Sequence, residues 1–527
     1  MLHRVSPLAV SLLALLAGLS LASVREEAPL SAATVQRWRE QLAAGRVQAA
    51  QETVAAMVAA PHSRAGLLLF EAVLRAQRRI VRADAKFPEL ERDRTAIEVE
   101  RAAADPTATS VLRRLDERLA AVDRDSVELA AQRQVEERLR EVASAGYRRV
   151  VPLLLDDASD ELARLLLQEL ADERDLEADL LAVEWLGAVR SPRMMVPLME
   201  LVRDKAVAVE IKIAALVALG RRGDPGATPA AAAALGHLDW RVQVEAVEAL
   251  RRFHQTSSIP LLIAQLERAD GRLRDDLGRA LVSLTGQRFA PDAPTWRRWW
   301  EEAGGTFVAP PAPTDPPAAV ATAAPGEPAA GANAPGGTQF FGVGSFSKRV
   351  VFVIDLSGSM RERATSGTDR TTTRTKLEVA ASQLAAALGS LPSDALFEVI
   401  TYADVARGVF GGLEPADDAH RQQALAAVRA NTPSRGTNLH GALEAAFQVG
   451  ESGRRRGSGG PAVDTIFFLT DGQPTAGRVQ APERILSAVA DWNRTRRVRI
   501  HAIGIGAHDR AFLAALAAQS GGTYVAR

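Results

Sequence analysis

The sequence feature that most constrains this chain is the stretch VFVIDLSGSM, from Val351 to Met360. Its four leading apolar residues predict a strand that is buried on both faces of a parallel sheet, because such strands have near-continuous apolar sequences. The small polar residues that follow are poor strand formers, so the chain is expected to turn there. Open α/β sheets bind ligands at such turns, beyond the carboxyl ends of the strands. Asp355, Ser357 and Ser359 are therefore expected to reach a binding crevice.

Two later stretches add oxygen ligands of the same kind. FFLTDGQPT is a second apolar run that ends in a carboxylate, Asp471, and RGTNLHGAL places Thr437 just before a predicted helix. The alternation DxSxS can bring three side chains to one point, as a small oxygen-binding cation requires. With no imidazole or thiolate in the set, magnesium, or manganese in its place, is the expected metal.

The three segments DLSGSM, GTN and TDG resemble, in this order, the metal-ion-dependent adhesion site of von Willebrand factor A domains. The resemblance covers about residues 340–527 and implies a doubly wound, Rossmann-like α/β domain that binds an acidic side chain of a protein ligand through its metal. The family pattern falls on five residues with no position missing. They are Asp355, Ser357, Ser359, Thr437 and Asp471.

Strand and helix patterns alternate through residues 340–527, and this alternation independently predicts a largely parallel sheet with helices on both faces. One departure from the family pattern follows the metal loop, where a polar, Thr-rich insertion occupies residues 361–375. It begins beside the predicted site, so it is expected either to overhang the site or to be an insertion without consequence.

The amino-terminal half is predicted to be helical. Residues 31–145 are rich in Ala, Leu, Arg and Glu, with a helical hairpin that turns at Gly45. In residues 147–302, segments such as AVEWLG, ALVALG and AVEAL recur with a period of roughly 31 to 34 residues, which is typical of stacked helix pairs. The pattern resembles HEAT repeats in an all-α solenoid. An ordinary helical bundle is the alternative.

Residues 306–338 consist mainly of Ala, Pro, Gly and Thr, with few large apolar side chains. Such a segment buries too little surface to offset its ordering entropy, so it is predicted to be a linker. The regions on either side are expected to be independent folding units that reorient freely unless they dock.

Residues 1–22 have a short basic start, an apolar run and small residues before a polar stretch, which is typical of a secretory signal peptide. An uncleaved membrane anchor is the alternative, because the apolar run is close to the length of a spanning helix. The expected location is the periplasm or cell envelope of a bacterium, with membrane attachment only if this segment is retained.

The composition excludes several functions. Lysine plus arginine and aspartate plus glutamate number 64 each, so net charge gives no reason to expect a nucleic-acid partner. The chain has no cysteine, which excludes disulfides and thiolate sites. The sequence has no GxSxG, HExxH or GxxxxGK[ST] motif. His440 and His501 are the candidate bases, the first expected to face solvent and the second to be a packing residue.

These observations predict an exported, divalent-metal-dependent adhesion or scaffolding protein that is not an enzyme, with a possible second protein partner on the solenoid. Two alternatives remain. The first is an accessory subunit of a metal-dependent ATPase or chelatase-like assembly, and the second is a structural envelope protein whose site holds no metal.

Overall fold

The computed structural model describes residues 30–154, 156–171, 176–189, 191–310, 337–364, 374–430, 436–449 and 463–527. The predicted signal segment and most of the predicted linker lie outside these residues. The chain divides into two compact units, residues 1–227 and residues 228–527. Within the described ranges, no helix is both long and apolar enough to cross a membrane.

The first unit consists of helices. Gly45 has a φ of +65° and makes the predicted turn between the first two helices, because glycine adopts the left-handed conformation without a steric penalty. The next two helices, with 41 and 42 residues, are long enough to pack along one another. The helices are α1 (Ala32–Ala43), α2 (Val47–Ala59), α3 (Ser63–Ala103), α4 (Thr109–Val150), α5 (Asp156–Ala171), α6 (Leu176–Ala188), α7 (Met195–Arg203) and α8 (Val209–Arg222).

The second unit begins with further helices of the repeat region. Trp296, the first of three tryptophans in the last of these helices, is fully buried. Its ring lies edge to face with that of Phe289, with the ring centroids 5.0 Å apart. The helices are α9 (Thr228–Ala234), α10 (Trp240–Phe253), α11 (Ser258–Leu266), α12 (Arg272–Thr285) and α13 (Ala293–Ala303).

The same unit contains the predicted α/β domain. A short hairpin, β1 (Thr338–Phe340) with β2 (Val343–Ser345), precedes a sheet whose described strands lie in the order β5-β4-β3-β7-β8-β9, with β6 also paired to β4. Strands β4, β3, β7, β8 and β9 run parallel, and β5 and β6 are antiparallel. The sheet strands are β3 (Arg349–Asp355), β4 (Leu396–Tyr402), β5 (Ala406–Gly408), β6 (Glu414–Pro415), β7 (Thr465–Thr470), β8 (Arg499–Gly504) and β9 (Tyr524–Ala526).

Helices cover both faces of this sheet. Alternate residues of β3 belong to two different hydrophobic clusters, with Phe352 and Ile354 in one and Val351 and Val353 in the other. A strand that is buried on both faces explains why its sequence is continuously apolar, and the predicted fold class is confirmed. The helices are α14 (Lys376–Ser390), α15 (Asp418–Ala430), α16 (Leu439–Gln448), α17 (Pro482–Asn493) and α18 (Arg510–Ala518).

The helices of residues 228–303 dock on the α/β domain, so the expected independence of the two sides of the linker does not hold for this part of the chain. Arg272, at the start of α12, is 5% exposed and donates to the carbonyl oxygen of Asp464 at 2.8 Å. Asp276 pairs with Arg499, the first residue of β8. Linker composition carries no information about such contacts, because they depend on the surfaces of the folded parts.

An aromatic contact and a second buried ion pair extend this interface. The guanidinium groups of Arg272 and Arg349 lie 5.4 and 5.1 Å from the ring centroid of Trp240 in α10. Glu245, which is 2% exposed, pairs with Arg497. The contacts are made at the amino ends of β3, β7 and β8, so the carboxyl ends lie at the opposite edge of the sheet.

Candidate metal centre

The predicted metal-site residues lie where β3 and β7 end. Ile354 pairs with Leu469 in the parallel register, so Asp355 and Thr470 end neighbouring strands at the same edge. Asp471 follows directly after β7, and a short 3-10 helix, Gly358–Arg361, follows the Ser357 turn. Parallel strands thus bring together residues that lie more than one hundred positions apart in the sequence.

Three side-chain oxygens form a compact triangle at this edge. Ser359 Oγ donates to Oδ1 of Asp471 at 2.8 Å, and Ser357 Oγ donates to the same oxygen at 3.2 Å. The two serine oxygens are 3.1 Å apart. Ser357 is 3% exposed and Asp471 2%, whereas Ser359 is partly exposed, so the triangle is buried on one side and reaches the surface at Ser359.

Asp355 lies behind this triangle and is fully buried. Its Oδ2 accepts hydrogen bonds from Thr470 Oγ1 at 2.7 Å and from Tyr402 at 3.1 Å, and its Oδ1 accepts from the backbone N–H of Ser357 at 2.7 Å. Burial raises the pKa of Asp355, and these hydrogen bonds oppose the rise by stabilising the charged form. The carboxylate is therefore held in one orientation, beneath the serine loop.

Thr437 lies beside the same turn. It is 5% exposed, and its backbone N–H donates to Thr475 Oγ1 at 3.0 Å. A methyl group on Gly472 would lie 3.8 Å from Thr437 Oγ1, which places this hydroxyl next to the residue that follows Asp471. Hydrogen bonds thus connect four of the five predicted residues, and Thr437 is the one that lies beside them without joining this network.

The sequence interpretation missed three residues of this site. Lys376, the first residue of α14, donates from Nζ to Oδ2 of Asp471 at 2.9 Å. Tyr402 and Thr470 orient Asp355, as described above. Thr470 stands directly before Asp471 and could have been found from the TD pair. Lys376 is separated from the metal loop by the insertion, so sequence spacing gave no sign of its position.

The geometry of the triangle fits a small octahedral cation. Neighbouring ligands of an octahedral ion with metal–oxygen distances near 2.1 Å are about 3.0 Å apart, and the three oxygens lie 2.8 to 3.2 Å from one another. In the same octahedral geometry, the longer bonds of calcium would place neighbouring oxygens roughly 3.3 to 3.7 Å apart. The donor set and its spacing therefore fit Mg²⁺ or Mn²⁺, which Ser357, Ser359 and Asp471 would hold.

No group of three or more His, Cys, Asp or Glu side chains suited to a metal occurs in the described parts of the chain. The candidate site is of a different kind, with two carboxylates supplemented by hydroxyls. His501 is buried and its ring stacks on that of Phe467, with the ring centroids 5.0 Å apart, as expected for a packing residue. His440 was expected to face solvent but is 3% exposed and packs against Trp492, because α16 turns this side towards α17.

Two family models match the chain. Residues 348–526 match the von Willebrand factor type A domain, and residues 208–282 match HEAT repeats. Among curated proteins, the chain is 30% identical over 172 residues to inter-alpha-trypsin inhibitor heavy chain H1 of Mesocricetus auratus, covering 32% of this chain and 17% of that protein. It is 34% identical over 152 residues to human inter-alpha-trypsin inhibitor heavy chain H6, covering 28% of this chain and 11% of that protein.

Similar solved structures include a von Willebrand factor type A protein from Catenulispora acidiphila, with 24% identity, a TM-score of 0.27, and coverage of 35% of this chain and 39% of that one. Another is a mutant of the PilB minor pilin from Streptococcus sanguinis, with 15% identity, a TM-score of 0.27, and coverage of 34% and 56%. The chain thus spans under one fifth of the curated relatives named above, and its carboxyl-terminal third is a von Willebrand factor type A domain.

Proposed function

We propose that the protein is a divalent-metal-dependent protein-binding protein of the cell envelope, in which a carboxylate of the partner protein coordinates the metal. The observation that carries this proposal is the triangle of Ser357, Ser359 and Asp471 oxygens, with spacings that fit an octahedral face. The protein is proposed to act by binding and to have no catalytic role of its own.

The arrangement of the site supports a ligand that arrives from solvent. Magnesium prefers six oxygens and gives up its waters reluctantly, so a site with few direct protein ligands leaves coordination positions open. Asp355, held by three hydrogen bonds within the protein, is suited to act through a water molecule rather than directly. An aspartate or glutamate of a partner can then complete the coordination.

The position of the site also supports this proposal. The helices of residues 228–303 occupy the amino ends of the strands, and the triangle lies at the carboxyl ends. A partner can therefore reach the metal without displacing these helices. Export is proposed from the signal-like segment at residues 1–22, which lies outside the described residues.

The proposal is tested by calorimetric titration of the purified protein with Mg²⁺, Mn²⁺ and Zn²⁺, followed by capture of partners from an envelope fraction with and without chelator. Asp355→Ala should abolish metal binding and partner capture, and Thr437→Ala should weaken both more mildly. Circular dichroism should show the same helix and strand content in both variants. Full capture by the Asp355→Ala protein in excess chelator would exclude the metal site and direct attention to the helical repeats.

A further inference from the structure

Lys376 is an unusual residue in this site. It is 5% exposed, although lysine is seldom buried without a specific partner. It is also the first residue of α14, where the helix dipole disfavours a positive charge. Its Nζ lies 2.9 Å from Oδ2 of Asp471 and 2.8 Å from Oε2 of Glu362.

The surrounding backbone accommodates this side chain. Gly506 has a φ of +65°, and a methyl group there would lie 3.0 Å from Cε and 3.3 Å from Nζ of Lys376. The backbone N–H of Lys376 donates to the carbonyl oxygen of Glu362 at 2.9 Å. Gly506 leaves room for the ammonium group, and Glu362 binds Lys376 through both its backbone carbonyl and its carboxylate. Together they fix the ammonium group against Asp471.

This contact divides the two oxygens of Asp471 between different partners. Oδ1 faces the hydroxyls of Ser357 and Ser359, and Oδ2 accepts from Lys376. Asp471 therefore offers a metal one oxygen in the triangle. Calcium sites commonly use a carboxylate through both oxygens, whereas magnesium takes single oxygens, so the contact favours the smaller ion.

The ammonium group also changes the charge of the site. Asp355 and Asp471 contribute two negative charges and Lys376 one positive charge, which leaves one negative charge among the buried groups. Glu362 also pairs with Lys376, but its side chain is 67% exposed, so water screens its charge. A bound dication would convert this to one positive charge. Without the lysine the same ion would only neutralise the site. Electrostatic interactions are stronger in such a buried cluster than in water.

We propose that Lys376 is a specificity-determining residue that weakens binding of the metal alone and strengthens binding of an anionic carboxylate to the metal-loaded site. Metal and acidic ligand then bind cooperatively, since each supplies the charge that the other requires. This inference rests on the proposed function and specifies how the site distinguishes an acidic partner from water.

The experiment compares the full protein with Lys376→Met and Lys376→Arg. Mn²⁺ affinity is measured by electron paramagnetic resonance. Binding of a carboxylate probe, N-acetyl-glutamate α-amide, to the Mn²⁺-loaded protein is measured by water proton relaxation. We expect Lys376→Met to bind Mn²⁺ about tenfold more tightly and the probe about tenfold more weakly, which are opposite effects of removing one nearby positive charge. Lys376→Arg should stay close to the unaltered protein in both measurements.

The matched control is Lys348→Met. Lys348 also joins two carboxylates, Asp270 and Asp394, but it precedes β3 at the edge of the sheet opposite the site. This variant should leave both affinities unchanged. A Lys376→Met protein with an unchanged melting temperature, and with unchanged or weaker Mn²⁺ binding, would overturn the inference and leave the proposed function standing. If the unaltered protein bound no Mn²⁺, both would be overturned.

Discussion

Arg272 in helix α12 donates to the carbonyl oxygen of Asp464, the residue before β7, across 2.8 Å. The two residues lie on opposite sides of the Ala/Pro/Gly-rich segment, so this bond joins the helical repeats to the α/β domain directly. Burial lowers the pKa of Arg272 to about 10, because the charged form loses hydration. The guanidinium remains charged at neutral pH and holds the interface through the carbonyl oxygens of Asp464 and Arg497.

The first prediction follows from this contact. The composition of residues 306–338 predicts that a protease cuts there first, and the docked interface predicts that the two fragments stay associated afterwards. Size-exclusion chromatography of the cut protein should therefore show one peak that contains both fragments. Arg272→Met should separate them or destabilise the complex by roughly 3 kcal/mol, because it deletes the charge-assisted hydrogen bonds from Arg272 to the carbonyl oxygens of Asp464 and Arg497. Separate elution of the unaltered fragments would contradict the prediction.

The sequence predicted the strand ends well and the interface poorly, for physical reasons. Apolar runs such as Val351–Ile354 must be buried on both faces, and this fixes where Asp355 and Asp471 emerge. Charged residues on an amphipathic helix, such as Arg272, are normally solvated, so nothing in the local pattern marks those that dock. Lys376 was missed because its neighbour in space lies 95 positions away in the sequence.

The second prediction concerns pH. Asp275 of α12 accepts hydrogen bonds from Ser345 Oγ at 3.0 Å and from the backbone N–H of Phe346 at 2.9 Å, and burial raises its pKa to about 6 from the ordinary 3.8. Between pH 3.8 and about pH 6, the Asp275 carboxyl keeps its proton in the folded protein, whereas in the unfolded chain it has released it. The contribution of Asp275 to the free energy of unfolding therefore decreases as pH rises through this window, and stays low above it.

Asp275→Asn removes this titration. We compare the unfolding free energy of the variant with that of the unaltered protein. After allowance for partial exposure, the difference should rise in favour of the variant by about 1 to 2 kcal/mol between pH 3.8 and about pH 6. Urea denaturation of both proteins at a series of pH values measures this difference. Two parallel stability curves would show that Asp275 does not titrate in the window.

The third prediction concerns the choice of metal. All of the candidate ligands are hard oxygens, and the spacing of the Ser357, Ser359 and Asp471 oxygens fits an ion with short metal–oxygen bonds. Mg²⁺ and Mn²⁺ should therefore bind at this site, and Ca²⁺ should bind more weakly. Competition titrations against Mn²⁺ measure the order. Zinc bound at these residues in preference to magnesium would be inconsistent with the donor set.

The last prediction tests whether the orientation of Asp355 matters for metal binding. Burial and the neighbouring carboxylate raise the pKa of Tyr402 well above its ordinary value, so its hydroxyl keeps the proton that it donates to Asp355. Tyr402→Phe deletes this hydrogen bond together with the longer one, at 3.2 Å, that the same hydroxyl makes to the carbonyl oxygen of Leu469. The ring remains stacked on Phe468, with centroids 5.8 Å apart, so the core should keep its packing. We expect metal affinity to fall by about tenfold, because residues that orient metal ligands tune affinity to this extent.

A matched control separates this effect from the general cost of losing a buried hydroxyl. Tyr147 of α4 is also buried and donates to the carbonyl oxygen of Trp185 at 3.0 Å, in the first unit of the chain. Tyr147→Phe should lower the melting temperature by a similar amount and leave metal affinity unchanged. If both variants reduced metal affinity equally, Tyr402 would act on stability alone. A selective loss in Tyr402→Phe would show that the hydrogen bond positions Asp355 for the metal.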